Sequence, residues 1–182
     1  MAVPEGTNAN SLEVAVERFL ETAKKILVVD GYLQAFLFAL ERGRGLRMFR
    51  LEMNDRAEKH IAIRQVAAFL ELLNVDWAIY VGEAWIASAR PGLRHAIDAA
   101  DRREAISVVG VANDERFCNR WIEFTRTRTK ILLGDDHTDT IPANMLLPIL
   151  AAIRKREESK TASAQPQGNE KWDQMGSRSN SG

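Results

Sequence analysis

Glu83 is the carboxylate whose surroundings could turn it to chemistry. It alternates with Trp77, Ile79, Val81 and Trp85 along the strand-like segment 75–87. A carboxylate on an apolar face must find a partner or shift its pKa. Two readings follow. Glu83 could be an acid/base carboxylate, acting with Asp101, Arg102 or Glu104 in a pocket roofed by Trp85 and the 88–104 segment. It could equally be a strand-end ion pair with Arg102 or Arg103 that pins that segment.

Cations gather in three places. Arg42, Arg44, Arg47 and Arg50 load one hairpin, and Arg126, Arg128 and Lys130 form a second strip. Either could touch a phosphate backbone, and either could simply guard an exposed sheet edge. Arg90, Arg94, His95 and Arg102 could bind an anion on the 88–104 segment. Binding contacts are therefore expected from Trp85, Arg42, Arg44, Arg47 and Arg103.

Other chemistries are weakly supported. Asp135, Asp136, His137 and Asp139 have the oxygen ligands a hard cation wants, but lack the glycine and distal Glu of an EF-hand. A solvated acidic loop is expected there, and no metal. Cys118 is the one cysteine, which excludes a disulfide framework and a multi-thiolate zinc site. It reads as a buried inert thiol. His60, His95 and His137 lack zincin spacing, and no P-loop, G-x-S-x-G or dinucleotide fingerprint occurs. No cofactor is expected.

These residues need elements to position them. Leu12, Val16, Phe19, Leu20, Ala23 and Leu27 recur at helical spacing, so a helix is predicted over 11–27, capped by Asn10. Strands are predicted over 33–40 and 46–53, joined by Glu41–Gly45, and the first is apolar on both faces. Asp55 and Glu58 open a second helix that ends at Asn74. Strands over 75–87, 105–112 and 117–127 follow, with a further short one at 130–133 and a loop at 88–104. Residues 140–155 read as helical, in two pieces because Pro148 suits only a first turn.

The expectation is an α+β fold. It has a mainly antiparallel sheet of about five strands in the order α-β-β-α-β-β-β-α, with helices packed on the sheet. Residues 1–10 form a flexible arm, 11–156 a single domain, and 157–182 a disordered tail with Trp172 and Met175 as its only large apolar groups. Lys+Arg and Asp+Glu number 25 each, so there is no whole-protein basic field. No signal peptide or apolar span is seen, and the cytoplasm is the expected compartment.

Three stretches carry a resemblance. Asp30-Gly31, Glu83-Ala84-Trp85 and Asp101-Arg102-Arg103-Glu104 follow one another in a pattern similar to that of a group of small bacterial and phage α+β proteins. It spans about residues 26–125. It implies a bacterial or phage origin, and no activity or catalytic residues.

The function expected is that of a non-catalytic binding or regulatory protein acting through protein–protein contacts, with itself as one possible partner in a homodimer. Strands apolar on both faces need a layer on each side, and few helices are on offer. A small enzyme built on Glu83, and a nucleic-acid binder built on the 41–50 hairpin, remain as alternatives. No membrane partner is expected.

Overall fold

A computed structural model describes residues 11–52, 56–88, 91–92, 95–139 and 144–164. The segment 1–10, Asn10 and Asp55 that were expected as helix caps, Arg90 and Arg94, and the residues beyond Ala164 with Trp172 and Met175 lie outside them.

Helix α1 spans Leu12–Asp30. Its start is capped by Ser11, whose hydroxyl accepts the Val14 N–H at 3.4 Å. It stops at Gly31, whose φ of 77° no β-branched residue would tolerate and whose N–H closes on the Leu27 carbonyl at 2.9 Å. Strands β1 (Phe36–Glu41) and β2 (Gly45–Arg50) form a hairpin in which Gly43 and Gly45 both take positive φ. Helix α2 (Arg56–Leu70) leads to the long strand β3 (Val75–Ile86). Strands β4 (Arg103–Ala112), β5 (Phe117–Arg126) and β6 (Ile131–Asp139) then run as a meander. Helix α3 closes the described chain over Leu147–Ala164.

The class is α+β, with one fully antiparallel six-stranded sheet in the order β2-β1-β3-β4-β5-β6. The strand count rises by one over the expectation. The acidic segment 135–139, expected as a loop, is part of β6. It is an edge strand, and an edge tolerates polar residues on both faces. Helix α3 also runs past the expected helix end at 155, because Arg, Lys, Glu and Ala are good helix formers. Pro148 sits in its first turn, after a single 3₁₀ turn over Asn144–Leu146.

Each sheet face has its own core. On one, Leu12, Val16, Leu20 and Leu27 of α1 bury Ile79, Val81, Ile106, Val108 and Ile122. On the other, α2 and α3 bring Ile63, Leu70, Ile149 and Ile153 onto Leu37, Ala39, Tyr80, Val109 and Val111. Helix α1 lies over β3, β4, β5 and β6. One helix cannot also cover β1 and β2, and that shortfall creates the surface described next.

Candidate functional site: an apolar groove beside the first helix

Strand β1 alternates between faces. Leu37 and Ala39 are fully buried beneath α2, whereas Phe36, Phe38 and Leu40 on the α1 side are only half-buried. Beside them on β2, Met48 and Leu46 stand opposite Phe38 and Leu40. Helix α1 flanks this strip with Phe19, Thr22 and Ile26. The result is an apolar groove. Its larger depression, about 330 Å³, is floored by Phe36, Phe38 and Val81 and walled at one end by Asp30, Tyr32, Leu33 and Gln34. A second of about 290 Å³ adjoins it through Phe19 and Thr22 and ends at Leu40, Leu46 and Trp77. Phe19 packs on Phe38 with ring centroids 4.3 Å apart, joining the helix to the floor. Cavities of this size with mostly apolar linings are typical recognition sites.

Glu83 anchors the end wall. Its Oε1 accepts the Leu33 N–H at 2.7 Å. Arg126 of β5 donates to both carboxylate oxygens at 2.8 Å each, and also holds Glu104. The partner is therefore neither Arg102 nor Arg103, as expected from the sequence. Arg103 lies directly opposite Ile86 and projects to the other sheet face, where it pairs with Glu123. Arg102 turns back to donate to the Ile97 carbonyl at 2.7 Å and lies over the Trp85 ring at 5.2 Å. Arg126 reaches Glu83 because its guanidinium lies on the Phe124 ring, 4.7 Å from the centroid, and so runs along the sheet. Burial works against the Arg126 charge, but its bonds to Glu83 and Glu104 outweigh that and raise its pKa.

The remaining candidates scatter. Asp101 accepts the Ser88 N–H at 3.3 Å, away from Glu83's oxygens. Each hairpin arginine meets a carboxylate: Arg42 with Asp76 at 2.8 Å, Arg44 with Glu41 at 3.6 Å, Arg47 with Glu41 at 2.7 Å, and Arg50 with Glu52 at 3.5 Å. Glu41 is only 5% exposed, which makes those pairs its counter-charge. Alternation on β6 separates the acidic cluster. Asp136 faces α1 and bonds Arg120 at 2.7 Å, while His137 stacks on Trp121 on the other face, centroids 3.9 Å apart. Among the described residues no three His, Cys, Asp or Glu side chains come together as metal ligands. Burial, with Glu13's charge added, pushes the half-buried Cys118 thiol up.

One further arrangement escaped the sequence reading. Tyr80, buried between β3 and α2, lies back over Gly82; a Cβ there would meet the phenol oxygen at 2.5 Å. Lys59 of α2 donates to that oxygen at 3.2 Å and sits 4.6 Å from the ring centroid. Burial pushes the Lys59 ammonium down, and burial plus the Glu83 charge pushes Tyr80 up to about 12. The groove escaped too. Its one legible signal was the two-sided apolar character of β1, since nothing local says that α1 stops short of it.

Among the described residues no helix is long and apolar enough to cross a membrane. A family model described as Bacteriophage lambda protein ea47 matches residues 4–166. That span takes in α1, the whole sheet and α3, well beyond the three short motifs. No curated protein and no solved structure matches the chain.

Proposed function

We propose that this chain, which belongs to the Bacteriophage lambda protein ea47 family, is a non-catalytic binding or regulatory protein that acts through protein contacts at the groove. Its first occupant is a second copy of the chain. The supporting observation is the groove itself. Ile26, Tyr32, Leu46 and Met48 line it at 40%, 63%, 52% and 64% exposure, although all are large and apolar or aromatic. A contiguous patch of that kind marks an interaction site rather than ordinary surface.

A second copy is favoured by shape. A two-fold contact needs a knob and a hole on the same face of one molecule. Met48 and Leu46 project from the rim, and the Phe19–Phe38 floor lies beside them. Lateral pairing of β2 edges is disfavoured, because Arg47 and Arg50 place a charged side chain on each face of that edge strand. The contact is thus face to face. Such a dimer would work in the cytoplasm of the infected cell, where one half-buried thiol suffices without disulfides.

The alternatives draw less support. Glu83's carboxylate is already engaged by Arg126 and Leu33, and the hairpin arginines already have carboxylate partners. Light scattering coupled to size exclusion at tens of micromolar tests the reading. A dimer is expected, and Met48→Asp should yield a monomer with an unchanged thermal melt. A wild-type monomer overturns the proposed occupant.

A further inference from the structure

The end wall of the groove is unusual in how it is held. Residues 31–35, between α1 and β1, belong to no strand or helix. Among the described residues the Leu33 N–H meets no backbone acceptor and goes instead to Glu83 Oε1 at 2.7 Å. The Gly31 carbonyl receives the Arg126 Nε–H at 3.4 Å, a long bond. Gln34 Nε2 donates to the Leu51 carbonyl at 3.0 Å, tying the other end of the segment to the exit of β2. A backbone segment without regular structure takes its position from whatever satisfies its polar groups. Backbone bonds hold its two ends, Gly31 N–H to the Leu27 carbonyl and Leu51 N–H to the Ala35 carbonyl at 2.9 Å each, and between them the Leu33 N–H and the Gly31 carbonyl go to side chains of β3 and β5.

We infer that Glu83 and Arg126 are positioning residues of the groove: together they set the place of Tyr32 and Leu33, and so decide whether a partner's apolar side chain fits. The inference rests on the groove being the interaction site. Its physical basis is an asymmetry in the network. Arg126 binds two carboxylates, but only Glu83 also binds the connecting backbone. Loss of Glu104 leaves the Glu83 bonds to Arg126 and Leu33 in place. Loss of Glu83 frees Leu33 while Arg126 keeps Glu104. A purely structural ion pair would treat the two carboxylates alike.

The experiment compares Glu83→Gln, Glu83→Ala and Glu104→Gln in the full chain. Gln at 83 can still accept from Leu33 but cannot hold the guanidinium at both oxygens, so the Gln and Ala variants grade the defect and one of them remains folded. Three readouts are taken: amide hydrogen exchange at residues 31–35, the dimer dissociation constant, and the affinity of the anionic aromatic dye 1-anilinonaphthalene-8-sulfonate, measured at protein concentrations well below that dissociation constant so that dye and second copy do not compete. Met48→Asp reports whether the dye occupies the groove. Glu83→Ala should speed exchange at Leu33 and weaken both affinities by about tenfold, with Glu83→Gln between it and wild type. Glu104→Gln should leave all three within about twofold of wild type. Equal effects from Glu83 and Glu104, or faster exchange with unchanged dye affinity, overturn the inference. A monomeric wild type removes the second copy as occupant, yet exchange and dye binding still decide the role of Glu83.

Discussion

Arg126 on β5 grips Glu83 on β3 through two bonds of 2.8 Å, reaching across the whole width of β4. Both bonds come from one nitrogen, Nη2, which leaves Nη1 for Glu104 and Nε for the Gly31 carbonyl, and the Phe124 ring lies beneath the guanidinium. The two side chains are about one-third exposed, at 33% and 29%, so they keep part of their hydration.

Breaking this pair should cost stability in a way that identifies the partner. Glu83→Gln is expected to lose about 1–3 kcal/mol, below the cost of removing one member of a fully buried pair. In double-mutant cycles by urea denaturation, Glu83→Gln should couple strongly to Arg126→Met and be additive with Arg102→Ala and Arg103→Ala. Coupling to Arg102 or Arg103 of equal size would contradict the geometry.

Gly110 on β4 should be sensitive to a single methyl group. A Cβ there would meet Leu12 Cδ1 at 2.6 Å and Val16 Cγ2 at 2.9 Å, both on the buried face of α1. Gly110→Ala should therefore destabilise by about 1–3 kcal/mol, as overpacking does. Pairing it with Leu12→Val should cost less than the sum of the two single changes, because the shorter side chain vacates the contested space. Additive losses in chemical denaturation would show that α1 can lift off the sheet freely.

Two buried groups give the alkaline stability profile opposite slopes. Lys59 has a folded pKa below its ordinary 10.5, so the unfolded chain binds the extra proton. Stability should rise with pH through that lowered pKa and stop rising near 10.5. Tyr80 has a folded pKa of about 12 against an ordinary 10.0, so the folded chain keeps the proton longer. Its contribution is complete below pH 10 and is lost as pH climbs to about 12. A gap of that size corresponds to roughly 3 kcal/mol. Denaturation midpoints from pH 8 to 12 should turn downward in wild type. Tyr80→Phe should flatten the decline and Lys59→Met the preceding rise. A decline unchanged by Tyr80→Phe would show that the phenol is not the group responsible.

Much of the fold was written locally. The recurrence of Leu12, Val16, Leu20, Ala23 and Leu27 defines α1 because an α-helix returns to the same side every three to four residues, and Gly31 stops it because the chain needs a left-handed residue there. Alternation of Trp77, Ile79 and Val81 puts Glu83 on the α1 face of β3, as a strand's two-residue period requires. The glycines of the first hairpin and the antiparallel character of the sheet follow from equally short-range signals. The start of β6 was legible at 130–133, but its acidic continuation over 134–139 did not reveal itself, because an edge strand with solvent on most sides has no apolar alternation to display.

Tertiary structure decided everything that depends on lateral position. Periodicity says which face a side chain takes, but not which strand lies beside it or how far along. Arg103 is close to Glu104 in sequence yet points to the opposite side of the sheet from Glu83, while Arg126, 43 residues away, shares Glu83's face and is placed within reach by two strand registers in succession. The groove likewise belongs to no single segment. It exists because α1 lies across β3 to β6, so that among the described residues the apolar side of β1 and β2 is covered only in part. Where a helix settles on a twisted sheet depends on the sum of its packing against several strands, and that sum is a property of the assembled molecule.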